Sequence, residues 1–338
     1  MTGRGAVLVA AMALLLTGCS DTVQTMFGGQ GADSRDFLSL LTLFLVVTTF
    51  MYLLVIAFLI AAIARMRRDA QTAEKGEHSA PAPHFKAALM GWTGLVALGL
   101  VVLTIASFFT DRSMAKTASR SALEVEITGN QWWWSVRYYG ADASQTLETA
   151  NELHLPVNTP VHITLKSNDV IHSFWVPNLA GKQDLIPGRE TDITLRPSKV
   201  GVYRAQCAEF CGTQHAHMAL DVTVESRADF LKWYQASLQP APPPSTPLQL
   251  AGYTYVTTRE CAMCHTISGT SAASRFGPDL THVASRRSIA AGTLPMSRGN
   301  LYGWVADPQS QKPGTKMPTL GLQPDELHAV VAYLETLK

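Results

Sequence analysis

The chain is 338 residues long, which is enough for two or three domains, and its 27 Lys and Arg nearly balance its 26 Asp and Glu. The net charge of +1 and the lack of a basic tract in the sequence give no support for a nucleic acid as a partner. Hydrophobic residues make up 47% of the chain and charged residues only 16%, which is apolar for a soluble protein and predicts membrane segments.

Residues 1–18 have the pattern of a secretory signal peptide, with a positive start at Arg4 and an apolar run that ends at Leu16. This run is too short to span a bilayer. The sequence "LTGC", which ends at Cys19, resembles a bacterial lipoprotein cleavage box. The resemblance implies that Cys19 is the lipidated first residue of the mature protein; an ordinary signal peptide or an uncleaved anchor is the alternative.

Residues 37–64 and 87–109 are almost uninterruptedly apolar, and each run exceeds the roughly 20 residues that a helix needs to cross the hydrocarbon core, so transmembrane helices are expected over residues 37–68 and 86–110. They predict a transmembrane hairpin. In residues 65–86, which connect the two apolar runs, basic residues outnumber acidic ones, which predicts a cytoplasmic loop; these basic residues are Arg65, Arg67, Arg68, Lys75 and Lys86. Everything after Asp111 is therefore expected on the periplasmic face of a bacterial inner membrane.

Residues 111–236 alternate short runs rich in Val, Ile, Thr and aromatic residues with Gly, Pro and Asn turns. This pattern predicts an antiparallel β sandwich or barrel of about one hundred residues. Residues 237–248 include "QPAPPPSTP", which predicts a stiff, extended linker. Residues 249–338 have few strand-like runs and end in "QPDELHAVVAYLETLK", where Pro324 and an apolar stripe predict a packed C-terminal helix.

The sequence "CAMCH", from Cys261 to His265, has the spacing of an attachment site for c-type haem. The thiols of Cys261 and Cys264 are expected to bond to the two vinyl groups, and His265 to bind the iron. Zinc is the alternative, but it requires a second pair of Cys or His ligands, and no cysteine follows Cys264 in the chain.

The candidates for the sixth ligand of the iron are Met296 and Met317. Met317 is favoured because it lies in "KPGTKMPTL", where proline and glycine predict a rigid loop just before the terminal helix. This part of the chain resembles small cytochromes c. The resemblance implies that Met317 is the axial thioether and that the Pro278 carbonyl accepts a hydrogen bond from the His265 ring, which orients that ring.

The stretch "CAEFCGTQHAHM", residues 207–218, concentrates thiol, imidazole and thioether groups, which select copper or zinc over hard cations. The methionine favours copper, since zinc seldom uses a thioether. Two cysteines at this spacing can bridge two copper ions, whereas a disulfide is the simplest alternative in an exported protein. One histidine is missing from the stretch, and we expect His172 of "NDVIHSFWVPNL" to supply it from a separate loop.

The two-cysteine stretch, "QWWW" at residues 131–134, "IPGR" at residues 186–189 and the membrane hairpin together resemble the CuA-containing family of cytochrome c oxidase subunit II. With the haem domain the resemblance covers nearly the whole chain and points to the caa-type oxidases. It implies a multidomain fold with a two-helix transmembrane hairpin, an all-β cupredoxin-like Greek-key sandwich and an all-α cytochrome c domain.

The resemblance also implies roles for individual residues. Cys207 and Cys211 are the bridging thiolates of the copper pair, and the remaining ligands are His172, His215, Met218 and the backbone carbonyl of Glu209. The Glu209 side chain is implied to bind magnesium at the interface with subunit I, and Trp132 to pass electrons from the haem to the copper. His217 is expected to be a surface histidine.

One position departs from the family pattern. Members often carry a glutamate three residues before the tryptophan that opens the second membrane helix, at the mouth of a proton path. Here Leu89 stands three residues before Trp92. Proton uptake is therefore left to subunit I or to another residue.

The function expected from these features is electron input to a haem–copper oxidase, whose subunit I reduces oxygen to water and pumps protons. The alternatives are the input subunit of a CuA-containing nitric oxide reductase and a membrane-tethered copper carrier, which leaves the haem unexplained. Expected partners are the other oxidase subunits and, upstream, a cytochrome c or a quinol–cytochrome c reductase. Basic residues of the last domain suggest an acidic docking partner; they include Arg286, Arg287, Lys312 and Lys316.

Overall fold

The computed structural model describes residues 23–73, 85–118, 123–142 and 145–338. The predicted signal peptide and Cys19 lie outside these described residues. The described residues form two compact units, one within residues 35–118 and a larger one that holds residues 23–34 and the described residues from 123 onward.

The smaller unit consists of two long helices, α1 (Ala32–Ala73), whose first turn belongs to the larger unit, and α2 (Phe85–Ala118). Their segments Ala32–Arg68 and Lys86–Met114 are long and apolar enough to cross a membrane, and none of their most apolar stretches is buried against protein. Both helices extend past the predicted segments, because the backbone hydrogen bonds of a helix continue through polar residues beyond the apolar run.

Residues 123–237, here called the β domain, form two five-stranded sheets with the strand orders β3-β2-β1-β5-β8 and β4-β10-β9-β6-β7. Side chains alternate between the inside and the outside along most strands, and the inward ones of both sheets share one hydrophobic core. The strands are β1 (Leu123–Asn130), β2 (Trp133–Tyr139), β3 (Leu147–Ala150), β4 (Glu152–Pro156), β5 (Val161–Ser167), β6 (His172–Trp175), β7 (Lys182–Leu185), β8 (Thr191–Leu195), β9 (Gly201–Cys207) and β10 (Ala219–Glu225).

Two features of the β domain differ from the sequence prediction. Strand β1 pairs with β5, and β4 with β10, in parallel, although a purely antiparallel sheet was expected. Parallel neighbours arise here because the paired strands are far apart in the chain and are not joined by a hairpin. The domain also ends in a helix, α3 (Arg227–Ser237), which begins at the Ser226 cap and buries Phe230 in the core.

Residues 247–338, here called the helical domain, surround a second hydrophobic core. The helices are α4 (Pro247–Thr258), α5 (Arg298–Ala306), α6 (Pro308–Gln311) and α7 (Pro324–Leu334), and the expected all-α domain also contains the two short strands β11 (Ser288–Ile289) and β12 (Leu294–Pro295). Helix α7 is the predicted C-terminal helix, and Val330, Val331 and Leu334 of its apolar stripe are buried.

The proline-rich segment is shorter than predicted and is partly anchored. Helix α4 already begins at Pro247, since proline is tolerated in the first turn and the Thr246 side chain caps the helix. The backbone N–H of Ala241 donates to the Ser268 carbonyl at 3.0 Å, so this part of the segment lies along the helical domain.

The helical domain is docked on the β domain. The Ala219 N–H donates to the Ala291 carbonyl at 3.0 Å, and an Arg204 N–H donates to the Gly292 carbonyl at 3.1 Å. The buried Arg286 lies 3.5 Å from a Glu152 carboxylate oxygen, and Lys316 lies 3.2 Å from Asp169.

This docking accounts for three of the four named basic residues from which an external acidic partner was expected, whereas the fourth, Arg287, is exposed. Arg286 and Lys312 are buried, and Lys316 pairs with a β-domain carboxylate. Composition alone could not reveal this, because it does not say which face of a domain a charge occupies.

Candidate metal centres

The residues of the predicted copper stretch meet at one end of the β domain. Cys207 ends strand β9, His172 begins strand β6 and Cys211 lies in the loop between β9 and β10. The two sulfur atoms are 3.7 Å apart, His172 Nδ1 is 3.9 Å from Cys207 Sγ, and His215 Nδ1 is 3.6 Å from Cys211 Sγ. Met218 Sδ is 3.8 Å from Cys211 Sγ, so the donor atoms form one compact cluster.

The donor set fits a thiolate-bridged copper pair. Both cysteines are buried and free, so neither is consumed by a disulfide. The two thiols share a hydrogen bond, and this contact lowers the pKa of the Cys207 thiol against the opposing effect of burial and raises the pKa of the Cys211 thiol. Cys207 is therefore ready to bind a metal as a thiolate, and a soft cation releases the remaining proton.

Asp169 orients His172. Its carboxylate lies 2.8 Å from His172 Nε2, which leaves Nδ1 directed at the Cys207 sulfur. Burial raises the pKa of Asp169, but hydrogen bonds from His172 and from the backbone N–H groups of Gln131 and Val170 outweigh it and keep this pKa below its usual value. The ionised carboxylate thus fixes the ring in the manner common for metal-binding histidines.

The remaining predicted residues of this stretch lie at the edge of the cluster. The Glu209 carbonyl oxygen is 3.3 Å from Cys207 Sγ, and the Glu209 side chain is exposed. His217 is exposed as well, and its Nδ1 lies 2.8 Å from Gln214 Oε1. His217 is thus held by a neighbouring amide.

The predicted haem ligands surround a cavity of about 1010 Å³ in the helical domain. The residues Cys261, Cys264, His265 and Met317 all line it, and Met296 is not among the lining residues. His265 Nδ1 lies 2.7 Å from the Pro278 carbonyl oxygen, so its Nε2 is left as the metal-binding nitrogen. Burial lowers the pKa of His265, which keeps the ring neutral as an iron ligand requires.

Met317 is held by its own loop. The Gln309 side-chain amide donates to the carbonyl oxygens of Thr315 and Met317, each at 2.7 Å. The Gly314 N–H donates back to Gln309 Oε1 at 3.0 Å. This arrangement supplies the rigidity that the proline and glycine residues of the loop suggested.

Trp132 connects the cavity with the cysteine cluster. Its side chain lines the cavity, and its indole N–H donates to the Cys211 carbonyl oxygen at 2.9 Å. Gln131 Nε2 donates to the same oxygen at 2.8 Å. The wall of the cavity that faces the cysteine cluster is thus contributed by the β domain, and Trp132 is almost fully buried there.

Sequence reasoning missed several residues of these sites: Gly129, Asp169, Gly277 and Lys312. Asp169 could have been found from its position three residues before His172 in the same short loop. The two glycines leave no local signal, because their role depends on rings that lie far away in the sequence. Lys312 was noticed only as one of several basic residues.

Comparison with known proteins agrees with this arrangement. Residues 140–226 match the family described as "Cytochrome C oxidase subunit II, periplasmic domain", and residues 250–338 match the family described as "Cytochrome c". The cytochrome c oxidase subunit 2 of Bacillus sp. (strain PS3) is 31% identical over 268 residues, which cover 73% of this chain and 73% of that protein.

Two further relatives span almost the full length. The cytochrome c oxidase subunit 2 of Alkalihalophilus pseudofirmus is 29% identical over 336 residues, covering 97% of this chain and 95% of that protein. The cytochrome c oxidase subunit 2 of Bacillus subtilis is 29% identical over 356 residues, covering 98% of this chain and 96% of that protein.

Proposed function

Because this chain belongs to the cytochrome c oxidase subunit 2 family and carries a cytochrome c domain, we propose that it is the electron-input subunit of a haem–copper oxidase. In this proposal it accepts electrons at the helical domain and delivers them through the β domain to subunit I. Subunit I reduces oxygen to water and couples this reaction to proton pumping. The reported relatives are oxidase subunits, so the nitric oxide reductase alternative gains no support.

The observation that carries the proposal is the position of Trp132. Its ring lines the cavity that contains His265 and Met317, and its N–H bonds to the Cys211 carbonyl at 2.9 Å. An aromatic ring buried between two candidate redox sites suits transfer of electrons better than transfer of atoms.

The haem and the copper pair supply the one-electron chemistry when they are bound. The chain supplies fixed geometry around them. Cys261 and Cys264 would tether the porphyrin, and His265 and Met317 would bind its iron, so that the group would serve electron transfer. Asp169 and Pro278 hold the two histidine rings in place, so ligand movement on a change of charge is small.

The copper ligands that we propose are His172, Cys207, Cys211, His215, Met218 and the carbonyl of Glu209. The exposed Glu209 side chain is available to bind magnesium together with subunit I. We further propose that α1 and α2 anchor the chain in a bacterial inner membrane with both domains on the periplasmic face. The donor upstream would be a cytochrome c or a quinol–cytochrome c reductase.

The test is the substitution Trp132→Phe in the intact oxidase. We expect native haem and copper content but slower reduction of copper by the haem after a rapid pulse of reductant, because the indole N–H contact with Cys211 is lost. Trp233→Phe is the matched control, since Trp233 stacks on His154 at 3.9 Å instead. Equal rates in Trp132→Phe and the unsubstituted protein would count against the proposed role.

A spectrum tests the copper pair independently. The oxidised protein should show electron paramagnetic resonance of one unpaired electron shared by two copper nuclei. A signal from a single copper nucleus, or zinc in the metal analysis, would contradict the proposed site.

A further inference from the structure

Lys312 is a buried cation at the junction of the two domains. Its side chain is 2% exposed. The ammonium nitrogen lies 2.8 Å from the carbonyl oxygen of Trp132, 2.7 Å from that of His217 and 3.0 Å from that of Ala290. Three acceptors match the three N–H donors of a protonated lysine, whereas a neutral amine has only two. The geometry therefore describes a charged ammonium.

Each of the three carbonyls belongs to a part of the chain near a metal centre. The Trp132 indole N–H donates a hydrogen bond to the Cys211 carbonyl oxygen, and His217 directly precedes the proposed copper ligand Met218. Ala290 comes from the helical domain itself. Lys312 thus contacts the wall of the cavity lined by His265 and Met317, here called the haem cavity, and it also contacts the helical domain and residues 207–218, here called the copper loop.

The backbone around Ala290 has an unusual conformation, and its carbonyl oxygens accept hydrogen bonds at the junction. Ala290, Ala291 and Gly292 all have positive φ angles, 54°, 57° and 74°, which are unfavourable for alanine. Their carbonyl oxygens accept, in order, from Lys312 Nζ, the Ala219 N–H and an Arg204 N–H. Strained backbone persists where the surrounding contacts require it, and here all three contacts belong to the junction.

The residues that follow Lys312 also connect the helical domain with the β domain. The Pro313 carbonyl accepts from the Gln214 side-chain amide at 2.7 Å, and Gln214 lies between Cys211 and His215 in the copper loop. The proposed iron ligand Met317 stands five residues after Lys312 in the loop that Gln309 holds. One rigid segment therefore contacts the copper loop at its start and the haem cavity at its end.

We propose that Lys312 is a positioning residue for electron transfer between the haem and the copper pair: its ammonium locks the helical domain onto the copper loop and places a positive charge beside both centres. The inference rests on the proposed function. The transfer moves one electron from the reduced haem to the oxidised copper pair, with no bond made and no proton released.

The cost of this arrangement supports a functional role. An unpaired buried charge is expensive, and an apolar side chain of similar size would stabilise a domain interface at least as well. A nearby positive charge stabilises the reduced form of a centre, because that form carries less positive charge itself. Burial lowers the pKa of Lys312 to about 7, so the charge is present at pH 6, where the experiments are best done.

The first experiment uses hydrogen exchange in the metal-free, full-length protein to measure how firmly Lys312 holds the helical domain on the β domain. The reporter is the amide of Ala219, which donates to Ala291 across the junction. In Lys312→Met this exchange should accelerate about 10-fold or more, because several hydrogen bonds to a charged group are lost. The control Lys232→Gln removes an exposed lysine from α3 and should exchange as the unsubstituted protein does.

The second experiment measures both reduction potentials by spectroscopic titration of the loaded protein at pH 6. Lys312→Gln keeps a hydrogen-bond donor but removes the charge, so both potentials should fall, whereas Lys232→Gln should leave them unchanged. Lys312→Met should lower the potentials and also slow transfer between haem and copper about 10-fold or more.

Unchanged potentials in Lys312→Gln, at native haem and copper content, would overturn the proposal. If neither Lys312 variant binds its metals, hydrogen exchange at the Ala219 amide in Lys312→Met tests the proposal instead. Unchanged exchange overturns the proposal, and accelerated exchange supports it. A failure of the proposed function is recognised separately, because the unsubstituted protein would then lack the two-copper signal.

Discussion

Two glycines lie directly behind the two histidine rings that we propose as metal ligands. A Cβ atom on Gly129 would come within 2.7 Å of His172 Cδ2, and one on Gly277 within 2.8 Å of His265 Cε1. Both distances are shorter than van der Waals contact. Each ring can therefore keep its orientation because the residue behind it has no side chain.

Substituting these glycines should impair metal binding selectively. We expect Gly129→Ala to lower the copper affinity about 10-fold or more and Gly277→Ala to lower the yield of low-spin haem, since both displace an imidazole that neighbouring groups hold in place. Atomic absorption and the reduced haem spectrum measure the two losses. Gly181→Ala and Gly299→Ala are matched controls, because no atom lies within 4 Å of the added methyl group in either case.

His154 contributes a pH-dependent stabilisation away from the metal centres. Its ring stacks on Trp233, and its nitrogens lie 2.8 Å from Glu225 and 3.6 Å from Glu152. Burial lowers the pKa of His154, but the two carboxylates raise it more, so its net shift is upward from 6.5. The stabilisation is therefore complete below about pH 6.5 and is lost as the pH rises through the pKa of the folded protein.

We expect His154→Gln to cost about 1.5–3 kcal/mol of unfolding free energy at low pH and less as the pH rises, since the protonated ring is what the carboxylates hold. Denaturant titrations followed by Trp fluorescence at several pH values measure this. His162→Gln is the control, because His162 has only a distant partner, Asp192, at 4.0 Å. A loss that grows with pH would contradict the assignment.

At the scale of elements, a glycine in α4 allows helices α4 and α7 to lie close together. A Cβ atom on Gly252 of α4 would lie only 1.9 Å from the Ala329 carbonyl oxygen of α7. We expect Gly252→Ala to destabilise the helical domain by about 1–3 kcal/mol, because the helices must move apart. Denaturant titration followed by haem absorbance measures the loss, and Gly299→Ala, on the open side of α5, should be close to neutral.

The elements themselves were largely predictable from local patterns. The apolar runs predicted α1 and α2, the alternation in residues such as Val125 and Ile127 predicted strands, and the stripe before Leu334 predicted α7. Helix α3 and the parallel pairings β1–β5 and β4–β10 were missed. Strand pairing depends on contacts between distant parts of the chain, and periodicity within one segment carries no information about them.

The candidate sites, like the fold, were predictable where local sequence carries the information and were missed where tertiary contacts carry it. Cysteine spacing and ligand chemistry predicted which residues of the copper stretch and the haem motif would carry the chemistry. They did not predict what holds those residues, namely Asp169 behind His172 or Lys312 between the domains. Such supporting contacts come from tertiary structure, where one side chain can serve two domains at once.

At the scale of the whole molecule, the junction combines buried and exposed charges. Lys312 and Arg286 are buried, whereas Arg275 and Lys316 make exposed ion pairs with Glu148 and Asp169 at 3.3 Å and 3.2 Å. Salt screens exposed pairs strongly and buried contacts weakly. The buried contacts should therefore maintain docking at high ionic strength.

We expect the rate of electron transfer between haem and copper to change by less than about twofold between about 0.05 and 0.5 M salt. It should also be independent of protein concentration, because donor and acceptor belong to one chain. Flash or stopped-flow measurements of the purified oxidase test both points. A steep decline with salt would mean that exposed ion pairs, and not the buried contacts, hold the junction together.

The short proline-rich segment before Pro247 favours the helical domain over freely diffusing proteins in competition for the Trp132 surface of the β domain. Whenever the helical domain separates from the β domain, the tether keeps it at an effective concentration in the millimolar range. A freely diffusing protein at micromolar concentration would meet the vacated Trp132 surface far less often than the tethered domain does. Rebinding should thus outpace substitution, so that electron entry at the proposed copper site would be reserved for the haem that the same chain is proposed to carry.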